Sequence, residues 1–229
     1  EAVLLADNAK RDALISDILR KAKAQKVPVR TVRRADLDRI SARGSHQGVA
    51  AQAKPFPYAG MGDVLAHAEA QAARTDGRAL IVALDHITDA GNLGAIVRSA
   101  EVVGAAGVVI PNKRSAQVTA ATYKSSAGAV ANMPIAQVAN LKQALERCKE
   151  AGFWVAGASE KADQSIWDAN LKGKIVLVMG NEGEGLARLT QETCDFLVAL
   201  PQMGKTASLN VAQSATACMY EWLRQNERA

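Results

Sequence analysis

Residues 78–110 decide the fold, and they read RALIVALDHITDAGNLGAIVRSAEVVGAAGVVI. The run Ala79–Leu84 is entirely apolar, which is typical of a strand that is buried on both faces. Apolar residues then recur at helical spacing across residues 92–104, and Gly107–Ile110 forms another apolar run. A strand, a helix and a second strand in this order predict a parallel β-α-β unit.

The same alternation continues towards the C-terminus. Further apolar runs predict strands at residues 135–138, 153–157, 174–179 and 196–200. A closing helix is predicted from Ser208 to Arg224. The sequence therefore predicts an α/β fold over residues 78–229, with a mostly parallel sheet that carries helices on both faces. Ligands of such sheets bind at the carboxyl ends of the strands.

A smaller unit precedes this sheet. Residues 1–54 show a β-α-β-α-β pattern, in which Asp7 or Asn8 is the expected cap of the first helix. Two Pro and two Gly fall within residues 54–62, so we interpret residues 55–77 as a linker and a connecting helix. The predicted domains are thus residues 1–54 and residues 78–229. The chain opens on Glu1 rather than Met, and we expect further sequence to precede it.

Positive charge is concentrated in the first domain. Residues 1–54 hold 12 Lys and Arg against 6 Asp and Glu, whereas residues 55–229 hold 16 against 17. The basic residues cluster between Arg20 and Arg43. A basic module on a nearly neutral body favours a polyanion as partner, because bound phosphates release their counterions. The alternative is a solvated helix face with no partner.

Several protein classes are disfavoured by composition. The three cysteines include no C-x-x-C pair, and the three histidines are scattered, so we expect neither a disulfide framework nor a metal site. Sparse cysteine usage also fits a reducing cytoplasm, where we expect the protein. The longest apolar runs are far too short to cross a membrane. Nine aromatic residues are too few for a base-stacking surface.

Three polar loops that contain glycine follow predicted strands, at residues 85–94, 180–186 and 201–210. Taken singly, each is a strand-to-helix turn in which Gly supplies a positive φ. Together they predict a ligand site. Neither a P-loop nor a dinucleotide fingerprint is present, because the first Gly of a P-loop is replaced by Ala199 and the glycines at 180, 183 and 185 have the reverse spacing.

These loops resemble the three sequence motifs of the SpoU (TrmH-like) RNA ribose 2′-O-methyltransferases, within the SPOUT superfamily. The matching segments are Asp89–Glu101, Gly180–Leu186 and Pro201–Val211. The basic first unit, with His46-Gln47-Gly48-Val49, is similar to the small substrate-binding domain of the subgroup that methylates a guanosine ribose in 23S rRNA. Relative to that domain, we expect the unit to be truncated at its start.

The resemblance implies a fold whose C-terminal segment forms a trefoil knot, a homodimer with residues of both subunits near each site, and S-adenosylmethionine bound in the knot. Main-chain contacts to the cofactor are implied for Gly180, Leu200 and Leu209. The reaction site is implied to include five residues, which are Asn92, Arg98, Glu182, Ser208 and Asn210.

Arg98 is the residue that the resemblance implies as proton acceptor, although stabilising the developing alkoxide and gripping a phosphate is the less costly role for a guanidinium. Glu182 and Asn92 are expected to orient it. The sequence departs from the family pattern at Ala90, Gln202 and Ala212, and the last of these lacks a hydroxyl near the site. An RNA methyltransferase acting on 23S rRNA is the leading hypothesis. The alternatives are a tRNA methyltransferase and a non-catalytic RNA-binding or ribosome-assembly protein.

Overall fold

The computed structural model describes residues 2–41, 46–206 and 208–227. The chain divides into two compact units, one ending at Phe56 and the other beginning at Pro57. Arg43 and the first part of the turn predicted at residues 44–48 lie outside the described residues.

The first unit has the predicted β-α-β-α-β order. Its elements are β1 (Ala2–Ala6), α1 (Ala13–Ala24), β2 (Val29–Val32), α2 (Arg34–Ile40) and β3 (Val49–Gln52). The central β1 pairs parallel with β2 and antiparallel with β3. The buried side chains of Leu4 and Leu37 lie in its small core.

The cap predicted for α1 is wrong. The carboxylate of Asp12, not that of Asp7 or the side chain of Asn8, accepts a hydrogen bond from the Ile15 amide at 2.8 Å. Asp7 continues the hydrogen bonding of the sheet instead, because its backbone amide donates to the Val32 carbonyl. The helix therefore begins about one turn later than a cap at Asp7 or Asn8 would place it.

The second unit alternates strands and helices as predicted. Its elements are α3 (Met61–Ala72), β4 (Ala79–Leu84), α4 (Ala90–Val102), β5 (Gly107–Pro111), α5 (Ala120–Ser125), β6 (Ile135–Val138), α6 (Leu141–Glu150), β7 (Trp154–Ala158), β8 (Lys174–Met179), α7 (Arg188–Thr193), β9 (Phe196–Val198) and α8 (Val211–Asn226). The six strands form a parallel sheet in the order β6-β5-β4-β8-β7-β9.

Helices cover both faces of this sheet. Residues of α3 and α6 share one core with the side chains of Ile81 and Val176, which lie on the same face. On the other face, α4 packs against α8 and α5, and α8 contacts β8. All six residues of β4 are fully buried, as the unbroken apolar run predicts. The predicted α/β architecture is confirmed, whereas the trefoil knot stays a prediction.

Residues 57–77, interpreted from sequence as part of a linker and a connecting helix, contribute to the core of the second unit. Met61, Val64 and Ala68 of α3 are buried against the sheet. The Ala59 amide also donates to the carbonyl of Ile135 at 2.9 Å. This helix is therefore an integral part of the sheet's covering.

Candidate functional site

A cavity of about 330 Å³ opens at the carboxyl ends of β7, β8 and β9. Its walls come from the segments that follow these strands and from the start of α8. Five of the eight residues predicted for the site line it, which are Gly180, Glu182, Leu200, Ser208 and Leu209. Its position agrees with the rule that open parallel sheets bind ligands at the carboxyl edge.

The loop after β8 is closed on itself. Asn181 and Gly185 exchange two backbone hydrogen bonds of 2.9 Å, and Gly185 has a φ of +72°. The side-chain oxygen of Asn181 accepts from the amides of Gly183 and Glu184 at 2.9 and 3.3 Å. These bonds fix the loop backbone that forms one wall of the cavity.

Gly180 is needed for close approach rather than for a positive φ. A Cβ at this position would lie 2.5 Å from the Leu186 nitrogen and 2.6 Å from the Gly185 oxygen. Both atoms belong to the backbone, so the loop would have to change shape. The expectation of a positive φ holds in this loop for Gly185 and not for Gly180.

The first loop leads into α4. The carboxylate of Asp89 caps the helix by accepting from the Asn92 amide at 2.6 Å, and this places the Asn92 side chain on the first turn. Gly94 lies where α4 crosses α5, and a Cβ there would be 2.7 Å from the Thr122 carbonyl oxygen. This motif glycine thus permits helix packing.

A chain of side-chain hydrogen bonds joins the three loops. The amide nitrogen of Asn210 donates to the side-chain oxygen of Asn92 at 3.0 Å. The amide nitrogen of Asn92 donates in turn to a carboxylate oxygen of Glu182 at 2.7 Å. Residues separated by 90 and 118 positions in the sequence are therefore in direct contact.

The predicted site residues of the third loop precede the closing helix α8 and are not part of it. Asn210 caps α8, because its side-chain oxygen accepts from the Ala212 amide at 2.9 Å. Ser208, predicted as the first residue of the helix, is exposed and lines the cavity instead. Ala212 is buried in the first turn of α8.

Each of the two units matches a known protein family. A sequence profile of the SpoU rRNA methylase family matches residues 79–220. The chain belongs to this family. A second profile, for the substrate-binding domain of RNA 2′-O ribose methyltransferases, matches residues 1–59.

Relatives of this SpoU protein cover most of its length. It is 42% identical over 228 residues to an uncharacterized tRNA/rRNA methyltransferase of Mycolicibacterium vanbaalenii, which covers 100% of this chain and 71% of the relative. The crystal structure of the SpoU methyltransferase AviRb from Streptomyces viridochromogenes superposes with a TM-score of 0.79 at 25% identity, covering 99% of this chain and 82% of AviRb. A complex of AviRb with AdoMet has a TM-score of 0.75 at 23% identity and 98% and 82% coverage.

Arg98 of this SpoU chain stands apart from the cluster. It is exposed on α4, and within the described part of the chain its guanidinium has no ion-pair or hydrogen-bond partner. Glu182 and Asn92, expected to orient Arg98, bond to one another instead. The structure of the single chain thus brings together Asn92, Glu182 and Asn210 without Arg98.

Two sets of site residues are missing from the sequence interpretation. Ser159, Glu160 and Lys161 follow β7 and line the cavity. The sequence places these residues directly after an apolar run that predicts a strand. Their place in the site could not be predicted, because the sequence does not show that this strand, β7, lies beside β8. The second set supports the loop after β8, since the buried carboxylate of Asp85 accepts from the Ala187 amide at 2.7 Å and Asn181 donates to the His86 carbonyl at 2.9 Å.

The cysteines offer no reactive thiol near neutral pH. Burial raises the pKa of each of Cys148, Cys194 and Cys218 to about 12. Over residues 2–41, 46–206 and 208–227, no group of three His, Cys, Asp or Glu side chains could hold a metal ion. Within the same residues, no helix is long and apolar enough to span a bilayer.

Proposed function

We propose that this chain uses S-adenosylmethionine to methylate a ribose 2′-hydroxyl of RNA, with a guanosine of 23S rRNA as its target. The observation that carries the proposal is the hydrogen-bond chain Asn210–Asn92–Glu182, which takes one polar side chain from each motif loop. It lies beside a cavity whose walls include Glu182. The match of residues 1–59 to a substrate-binding domain for ribose methylation supports the choice of the 2′-hydroxyl.

The residues of the cavity fit the proposed cofactor. Its volume of about 330 Å³ lies in the range of small-molecule pockets. Leu200 and Leu209 supply apolar surface for an aromatic base, and the absence of a side chain at Gly180 leaves the backbone of its loop accessible. The carboxylates of Glu160 and Glu184 complement a positively charged ligand. When bound, S-adenosylmethionine supplies an activated methyl group on a cationic sulfur.

The protein's own contribution is mainly positioning. The side-chain amide of Asn92 accepts a hydrogen bond from Asn210 at its oxygen and donates one to Glu182 from its nitrogen. Its orientation is therefore fixed before RNA arrives. Ser208 is exposed in the lining of the cavity, where its hydroxyl is available to a ribose hydroxyl. Arg98 stabilises the 2′-oxygen as it loses its proton and contacts the adjacent phosphate, for which a planar guanidinium is well suited.

A homodimer would complete this site. A shallow groove of about 530 Å³ runs between α4 and α8, and small side chains such as Ala95 and Ala217 line it. Tyr220 at its edge is 47% exposed. The groove includes Asn92 and Asn210, so a second copy seated there could bring its own Arg98 to the cluster. Exposed apolar surface of this kind is typical of an interface.

The dimer has a direct test. Ala217→Arg places a long charged side chain in the groove, and we expect it to convert the dimer into a monomer and to abolish methyl transfer. Analytical ultracentrifugation at micromolar concentration measures the first effect. An unaltered chain that sediments as a monomer and is still active would contradict the proposed dimer.

The reaction is tested by incubating the protein with tritium-labelled S-adenosylmethionine and either 23S rRNA or total tRNA that lacks the modification. A methyl group on the ribose 2′-oxygen blocks alkaline cleavage at that nucleotide. We therefore expect label in alkali-stable dinucleotides of 23S rRNA that begin with guanosine. Label in base-methylated, alkali-labile nucleotides would contradict 2′-O-methylation, and label in tRNA alone would make tRNA the substrate. A protein that binds RNA but not the cofactor would be a non-catalytic member of the family.

A further inference from the structure

A second cleft, of about 350 Å³, lies at the carboxyl ends of β4, β5 and β6. We call it the basic cleft and define it by Lys113 and Arg114 after β5, Lys142 at the start of α6, and His86 after β4. These residues come from three adjacent strands of one sheet edge. None of the four lines the cavity of the proposed methyl-transfer site, although the His86 carbonyl supports the loop after β8.

The charge of the basic cleft is largely uncompensated. Lys113 and Arg114 are exposed, and no ion pair forms at either within the residues that the structure describes. Lys142 has Glu146 as a partner at 3.5 Å, in an exposed pair that contributes little. The acidic side chain in the lining, Asp85, is buried and already bonded, to His86 Nδ1 at 2.5 Å and to the Ala187 amide.

Helix α6 begins in the same cleft. Its 10 residues follow the cap Asn140, and its first turn carries Lys142 but no Asp or Glu. The free amides at a helix N-terminus have a partial positive charge, which a lysine there increases rather than offsets. An anion bound in the cleft would relieve this repulsion while contacting Lys113 and Arg114.

The basic cleft adjoins the proposed methyl-transfer site. Residues 180–186 line the cavity, and Ala187 and Leu189 directly after them line the cleft. The Asn181 side chain donates a hydrogen bond to the His86 carbonyl. The loop after β8, which forms a wall of the cavity, is thereby joined to a residue that lines the basic cleft. An extended polyanion that enters one opening therefore has a short path to the other.

We propose that the basic cleft binds the sugar–phosphate backbone of the substrate RNA close to the methylated nucleotide. The inference rests on the proposed function and deepens it, since it gives the nearly neutral second unit a phosphate-binding surface of its own. Phosphate contacts of this kind position a nucleic acid without reading its sequence.

The test compares two double variants of the full chain with the same loss of charge. Lys113→Gln with Arg114→Gln removes two cations from the cleft. Arg147→Gln with Lys172→Gln removes two from the opposite edge of the sheet, where α6 ends and β8 begins. Binding of a fluorescent 23S rRNA fragment is followed by anisotropy over a range of KCl concentrations, and S-adenosylmethionine binding is followed by calorimetry.

We expect the cleft variant to bind the RNA fragment about tenfold more weakly at low salt, with a salt slope reduced by about 1.4–1.8 for two lost contacts, by analogy with DNA. The control should keep the parent slope, and both should bind S-adenosylmethionine as the parent does. Equal slopes in the parent and the cleft variant, or equal losses in both variants, would overturn the proposal. So would an equal loss of affinity for poly-L-glutamate, which would indicate an acidic protein as the partner. Failure of the parent to bind the cofactor would instead contradict the proposed function.

Discussion

Arg98 is an exposed cation on α4, without a partner among the described residues. A side chain that acts on RNA and not on the cofactor should be separable by mutation. We expect Arg98→Ala to abolish methyl transfer and to leave S-adenosylmethionine affinity unchanged. Arg98→Lys should restore little activity, because an ammonium group cannot reproduce the planar guanidinium. Single-turnover rates test this, and a near-normal rate for the alanine variant would remove Arg98 from the reaction.

Gly180 tests the cofactor's position. A Cβ there meets backbone atoms of Gly185 and Leu186, so Gly180→Val should deform the wall of the cavity and weaken S-adenosylmethionine binding by about tenfold or more. Gly183→Ala in the same loop is the matched control, because its nearest atom would be the Asn181 oxygen at an ordinary 3.5 Å. Calorimetry measures both. Equal affinities in Gly180→Val and the parent would place the cofactor elsewhere.

At the scale of elements, the crossing of α4 and α5 depends on one missing side chain. A Cβ on Gly94 would press on the Thr122 carbonyl at 2.7 Å and on the Ser126 amide nitrogen at 3.0 Å, so Gly94→Ala should force the helices apart. We expect a loss of about 1–3 kcal/mol in the free energy of unfolding.

Gly62 in α3 provides the control for this change. It is exposed and a Cβ would meet nothing within 4 Å, so Gly62→Ala should raise the free energy of unfolding by about 0.5–1 kcal/mol through helix propensity. Urea denaturation distinguishes the two variants. The same sign of change in both would show that Gly94 is not a packing residue.

The elements themselves were predictable where burial dictates composition. The run from Ala79 to Leu84 predicted a central strand, because a short, unbroken apolar run is typical of a strand that is buried on both faces. The ends of helices were less predictable, since Asp12 and Asn210 cap α1 and α8 through bonds that depend on where the preceding strand or loop finishes.

The site was predictable as three loops and not as an arrangement. Local sequence placed Asn92, Glu182 and Asn210 after strands, but their contact depends on the spatial order of those strands. That order is set by crossover connections, which leave no mark in the apolar pattern. The same limitation hid the basic cleft, because Lys113 and Lys142 are unremarkable until β5 and β6 are known to be neighbours.

At the scale of the whole molecule, charge is divided between two units. Residues 1–54 carry the excess of Lys and Arg over Asp and Glu, and on α1 and α2 part of it is already paired. Asp17 binds Arg20 and Lys21 at 2.5 and 2.8 Å, and Asp36 binds Arg33 at 3.2 Å. Arg34 is exposed and forms no ion pair within the described ranges. Neutralising Arg34 should therefore reduce RNA affinity more than neutralising Arg33.

Removing the first unit tests whether RNA binding and chemistry are separable. We expect a chain that begins at Pro57, where the second unit starts, to keep S-adenosylmethionine affinity and to lose most of its RNA affinity. Its salt slope should fall by about 0.7–0.9 for each phosphate contact removed, by analogy with DNA. The cleft variant Lys113→Gln with Arg114→Gln should lower the remaining slope further, because each phosphate contact that is lost reduces the slope by its own increment. If the full and shortened chains have equal slopes, the charges of residues 1–54 serve solubility alone and the second unit holds the RNA by itself.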